Sequence, residues 1–66
     1  MEYTNSQMLS MINEYIHSQR DREILCRRLI DGMTYELMAE EFTLTPRQLK
    51  TIVYKNEKII FSHFPG

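Results

Sequence analysis

The stretch Thr34-Tyr35-Glu36-Leu37-Met38-Ala39-Glu40-Glu41-Phe42-Thr43-Leu44-Thr45-Pro46-Arg47-Gln48-Leu49-Lys50 contains two helix starts separated by a short turn. Thr45 supplies an N-cap oxygen, Pro46 a φ already suited to the first helical position, and Gln48 the reciprocal partner of a Thr-x-x-Gln capping box. Upstream, Thr34 caps a shorter helix and Glu36 places a negative charge in its first turn. Tyr35, Met38, Ala39 and Phe42 share one face of that helix. It is predicted to end near Phe42, leaving Thr43-Leu44-Thr45 as the connection. Two helices so joined make a helix-turn-helix at about residues 34–59. Ala39 is small where the second helix must come close, Leu49 packs back on the first, and Leu44 plugs the turn.

The flanking sequence supplies two more helices. Ser18 caps a predicted helix over Gln19–Ile30, with Asp21 in the capping-box position and Ile24, Leu25 and Leu29 facing inward. Gly32 lies just past its end, where a left-handed residue is cheapest without a Cβ. Glu23 and Arg27 are spaced to pair along its surface. A first helix is predicted from about Ser6 to His17, with Thr4, Asn5 and Ser6 as candidate caps. Its buried stripe reads Met8, Leu9, Ile12, Tyr15 and Ile16, which leaves Met11, like Leu37 later, off the apolar faces. The last helix spans about 46–59, with Leu49, Ile52, Val53, Asn56, Ile59 and Ile60 on its inner side. Beyond it, Ser62-His63-Phe64-Pro65-Gly66 reads as a fraying end. The apolar Ile59-Ile60-Phe61 and Phe64 either fold back on the first helix or meet a second copy of the chain. The fold class is therefore all-α, a single small four-helix domain over residues 1–66.

Size and composition exclude much else. The chain has 66 residues, one cysteine and no tryptophan, with 42% hydrophobic and 26% charged residues. A lone Cys26 rules out a disulfide scaffold and reads as a small, partly buried core residue. No apolar run approaches the length of a membrane span, and the first residues lack a basic start followed by an apolar stretch. The expected location is the cytoplasm, without a membrane partner. His17 and His63 show no metal-ligand spacing with Cys26. Glu36, Glu40 and Glu41 sit on one exposed helix rather than facing each other across a pocket. No catalytic residue, metal or cofactor is expected, and the chain is not read as an enzyme.

Net charge is −1, but the charge is sorted along the chain. Residues 31–41 carry Asp31, Glu36, Glu40 and Glu41 with no base, whereas residues 46–58 carry Arg47, Lys50, Lys55 and Lys58 against Glu57. Winding the last helix at 100° per residue puts Arg47, Lys50, Thr51, Tyr54 and Lys58 opposite the inner side, with Lys55 flanking them. In a helix-turn-helix the start of the second helix meets base edges in the major groove. Arg47 is suited to a guanine, Gln48 or Thr51 to an adenine or thymine edge, and the three lysines to phosphates. The helix N-terminus at Pro46 and Arg47 also favours a phosphate. Arg20, Arg22, Arg27 and Arg28 either meet flanking phosphates or pair with acids on the helix surface. Tyr35 offers a hydroxyl to a phosphate while its ring packs inward.

The segments Arg22-Glu23-Ile24-Leu25, Asp31-Gly32-Met33 with the helix Thr34–Phe42, and Thr45-Pro46-Arg47-Gln48-Leu49-Lys50 together resemble region 4 of bacterial sigma factors and their small phage-borne and regulatory relatives. The resemblance covers about residues 19–60. It implies a helical bundle whose last helix enters the major groove of promoter DNA, and a role in transcription regulation in a bacterium or phage. This sequence departs from the family at Thr43, where a glycine is usual, and at Leu37, where an exposed acid is usual. Double-stranded DNA is the partner so implied, with RNA polymerase or a second copy of the chain as further partners. The alternative is a module that binds RNA polymerase or another transcription protein without binding DNA itself. The acidic helix bearing Leu37 and the slightly negative net charge favour that alternative.

Overall fold

The computed structural model describes residues 4–63, and every regular element among them is helical. Helix α1 spans Asn5–Tyr15, α2 Gln19–Leu25, α3 Tyr35–Phe42 and α4 Pro46–Phe61. A π-helical segment, Cys26–Ile30, continues α2 without a break. The predicted helix over Gln19–Ile30 is thus α-helical only in its first part. In the π segment the Asp31 N–H reaches back five residues to the Cys26 carbonyl, at 3.1 Å.

The caps follow the sequence closely. Of the three candidates at α1, Thr4 is the cap: its hydroxyl accepts from the Gln7 N–H at 3.1 Å and its own N–H donates to Gln7 Oε1 at 2.8 Å. The helix ends at Tyr15 rather than His17 because Ile16 is already extended. Thr34 and Thr45 cap α3 and α4 as predicted, and the Thr45–Gln48 box is reciprocal. At α2 the box is one-sided. The Ser18 hydroxyl accepts from the Asp21 N–H at 3.4 Å, but the Asp21 carboxylate turns instead to Asn56.

Two left-handed residues set the turns. Gly32 has φ 70° after the π segment, and Thr43 has φ 57° between α3 and α4. At the second turn the N–H groups of Thr43 and Leu44 both reach the Ala39 carbonyl, closing the end of α3 in the manner of a Schellman motif. Leu44 is drawn in beside Ala39 against the core. A β-branched residue holds this conformation at a cost that glycine avoids.

The core gathers Met8, Met11, Ile12 and Ile16 from α1 and its end, Ile24 and Leu25 from α2, Met38 from α3, and Leu49, Val53 and Ile60 from α4. Each fully buried aliphatic side chain contributes about 1.5–3 kcal/mol relative to exposure. Two expectations for α1 are corrected. Met11 is buried, whereas Leu9 is 44% exposed. The buried stripe runs through residues 8, 11, 12 and 16, and Leu9 lies one residue off it. On α4 the inner stripe is Leu49, Val53, Asn56 and Ile60, while Ile52 is half-buried and Ile59 lies at the edge, 37% exposed. Ile60 seats the end of α4 in the core, and His63 stacks on Tyr15 of α1 with ring centroids 4.1 Å apart. The end of α4 therefore folds back on α1. Phe64 lies outside the described residues, as do Pro65 and Gly66.

Asn56 is the one polar side chain buried in this core among the described residues. Its amide donates to the Ile52 carbonyl at 2.8 Å and to Asp21 Oδ2 at 3.3 Å. Asp21 Oδ1 is buried without a hydrogen bond, and the Arg20 guanidinium stands 3.5 Å from it. This pair ties the start of α2 to the middle of α4.

Candidate nucleic-acid interface

Helix α4 buries one stripe and exposes the other. Pro46, Arg47, Gln48, Lys50, Thr51, Tyr54, Lys55 and Lys58 are all exposed. The five residues that the winding places outward, Arg47, Lys50, Thr51, Tyr54 and Lys58, are exposed, as is the flanking Lys55. Several of them border two different hollows along the helix. Arg47, Gln48 and Thr51 line a shallow groove with Leu44, Ile52 and Arg20. Tyr54 and Lys58 line a second hollow, further along the helix, with Glu57 and Phe61. Lys50 leans over the ring of Tyr35, its ammonium 5.6 Å from the centroid. Lys55 stands on the flank.

Several polar groups on this face are already engaged, which limits what they offer a ligand. Gln48 Oε1 accepts from the Thr45 N–H at 2.9 Å, so a two-point contact to adenine would cost the helix its capping box. Its amide nitrogen remains to donate. The Thr51 hydroxyl donates to the Arg47 carbonyl at 3.1 Å, leaving its lone pairs and its methyl group.

The cations divide sharply. All four arginines of α2 and its π continuation have internal partners. Arg22 donates to the carbonyls of Ile16 at 2.7 Å and His17 at 3.0 Å, closing the turn after α1. Arg27 binds Glu41 at 3.0 Å and Asp31 at 3.2 Å, and these hydrogen bonds, Glu41 first, raise its pKa further. The surface pair Glu23–Arg27 read from the sequence does not form, because Arg27 turns to α3 and to Asp31. Arg28 donates to the Met33 carbonyl at 2.9 Å and lies 4.5 Å from the Tyr35 centroid. Arg20 sits beside Asp21, yet its side chain is 57% exposed and reaches the groove with Arg47. By contrast, the side chains of Arg47, Lys55 and Lys58 make no hydrogen bond or ion pair among the described residues.

Spacing along the sequence groups Arg20 with Arg22, Arg27 and Arg28, and only the packing of α2 against α4 separates it from them. The Asp21–Asn56 contact had no signal at all in sequence, since the two residues lie 35 positions apart. Cys26 is half-buried against the core, as its composition suggested. Burial, then the nearby Asp31 carboxylate, pushes its thiol above the ordinary value, so the thiolate is disfavoured. Among the described residues no group of three His, Cys, Asp or Glu side chains is placed to hold a metal ion, and no helix is long and apolar enough to cross a membrane.

Compared with known protein families, characterised proteins and solved structures, the chain matches none.

Proposed function

We propose that the chain is a DNA-binding transcriptional regulator of the sigma region 4-like kind, in which α3 and α4 act as a helix-turn-helix. The cations of α4 carry this reading: Arg47, Lys55 and Lys58 are exposed, with no side-chain hydrogen bond or ion pair among the described residues, on a helix whose opposite stripe is buried. Arg47 faces a base edge from the first turn, Gln48 offers one donor, and Thr51 offers its methyl group or a lone pair. Lys50, Lys55 and Lys58 meet phosphates, and Tyr54 packs on the sugar-phosphate edge. Arg20 adds a phosphate contact from α2, because it lines the same groove as Arg47. The test is binding of labelled duplex DNA by the wild type and by the Arg47→Ala/Lys50→Ala variant. Loss of binding with unchanged helicity supports the assignment, and undiminished binding by the variant refutes it.

One observation favours a second reading. Leu37 is 55% exposed, and Glu36 and Glu40 beside it on α3 are exposed as well. An apolar residue among acids suits a basic protein surface, such as one on RNA polymerase. In that case Leu37→Asp abolishes polymerase capture, and Arg47→Ala/Lys50→Ala leaves it intact.

A further inference from the structure

Tyr35 opens α3, is half-buried, and has two cations over its ring. The guanidinium carbon of Arg28 lies 4.5 Å from the centroid and the ammonium of Lys50 lies 5.6 Å away. Both distances are within the range in which a ring's negative face attracts a cation. The two cations are held differently. Arg28 is tethered by its hydrogen bond to the Met33 carbonyl. Lys50 has no hydrogen bond or ion pair among the described residues, so the ring is its internal contact.

The manner of holding matters. Arg27 is also fixed in place, but by Glu41 and Asp31, whose carboxylates neutralise it. A carboxylate of that kind would have to be displaced before Lys50 could meet a phosphate. An aromatic face attracts the ammonium without cancelling its charge and without occupying its three N–H donors. It also restricts a side chain that would otherwise lose rotamer freedom on binding. A lysine so held is ordered, fully charged and free to donate.

We propose that Tyr35 is a positioning residue for DNA binding: its ring pre-orders Lys50 on the outer face of α4, while Arg28, anchored on the same ring, fixes the ring itself. The proposal rests on the DNA-binding reading above and adds to it a residue from α3 that acts through the ring and not through the phenolic hydroxyl. The ring contact is worth about a two- to fivefold change in affinity at an exposed site.

The experiment uses the full chain in two stages. Without DNA, NMR of the Lys50 ε-methylene protons reports ring-current shifts in the wild type and in Tyr35→Phe, and their loss in Tyr35→Leu. With a labelled duplex, Tyr35→Phe binds as the wild type does, and Tyr35→Leu binds about two- to fivefold more weakly. Tyr35→Leu added to Lys50→Ala produces little further loss, because the ring acts through the lysine. Circular dichroism confirms that each variant is folded at the assay temperature. Equal losses for Tyr35→Leu with and without Lys50 overturn the proposal, as does a loss in Tyr35→Phe, which would assign the role to the hydroxyl. A wild-type chain that binds no duplex at low salt overturns the DNA-binding reading itself. A wild type that binds while Tyr35→Leu is unaffected overturns the positioning role alone.

Discussion

Replacing Thr43 by glycine is expected to stabilise the protein. Thr43 holds φ 57° and ψ 43° at the end of α3, in the left-handed region. Its side chain is exposed and makes no hydrogen bond among the described residues, so nothing visible repays the strain. An L-residue with a Cβ loses about 1–2 kcal/mol in that region. Glycine avoids this but gives back roughly 0.5–1 kcal/mol through the greater freedom of its unfolded chain. The net gain for Thr43→Gly is therefore about 0.5–1 kcal/mol. For a domain of this size that corresponds to a rise in Tm of roughly 2–8 °C. Gly32 supplies the mirror control. It holds φ 70°, and a Cβ built there would meet nothing within 4 Å. Gly32→Ala thus isolates the backbone term and should lower stability by about the same amount. Thermal and urea unfolding followed by circular dichroism measure both. A Thr43→Gly variant no more stable than the wild type would refute the strain argument, and would do so decisively if Gly32→Ala were also neutral.

Three further outcomes follow from the packing. Met11→Ala should cost about 2–5 kcal/mol because Met11 is buried, whereas Leu9→Ala on the exposed side should stay within about 0.5 kcal/mol; urea midpoints compare them. Asn56→Ala removes the amide that serves Asp21 and the Ile52 carbonyl, and should cost about 1–3 kcal/mol in the same assay. Cys26 should be alkylated more slowly in the folded protein than in urea at mildly alkaline pH, since its thiol titrates above the ordinary value. The sign for stability agrees: as pH rises past the ordinary thiol range, the unfolded chain loses its proton first, and the fold is weakened until the native thiol also ionises.

Local chemistry was legible in the sequence where one residue type answers one local need. Thr45, Pro46 and Gln48 announce the start of α4 because their side chains satisfy backbone groups within the same turn. Gly32 marks a positive φ because it has no Cβ to clash there. The face of α4 could be read because the helix, at 16 residues, runs long enough for its apolar stripe to separate Leu49 and Val53 from Arg47 and Lys58. In α1 the apolar residues are dense, and Leu9 and Met11 competed for one stripe. Packing against the rest of the bundle chose Met11. The π segment has no local signature in Cys26–Ile30, and its extra residue per turn appears only in the backbone hydrogen bonds. The partners of Arg20, Arg28 and Asp21 depend on how helices meet, and spacing along one helix cannot supply that.

DNA binding by this chain depends on whether the exposed cations of α4 meet the duplex. Fluorescence anisotropy of a labelled random duplex pool, titrated at about 50 and about 200 mM salt, tests this directly. Four neutralised phosphates give a salt slope near −3.6, which is roughly a 150-fold loss of affinity across that range. A steep dependence of that size is expected for the wild type, with binding strongly weakened in the Arg47→Ala/Lys50→Ala variant and its residual salt slope reduced by about one. Absence of binding by the wild type at the lower salt, with the protein folded, would contradict it.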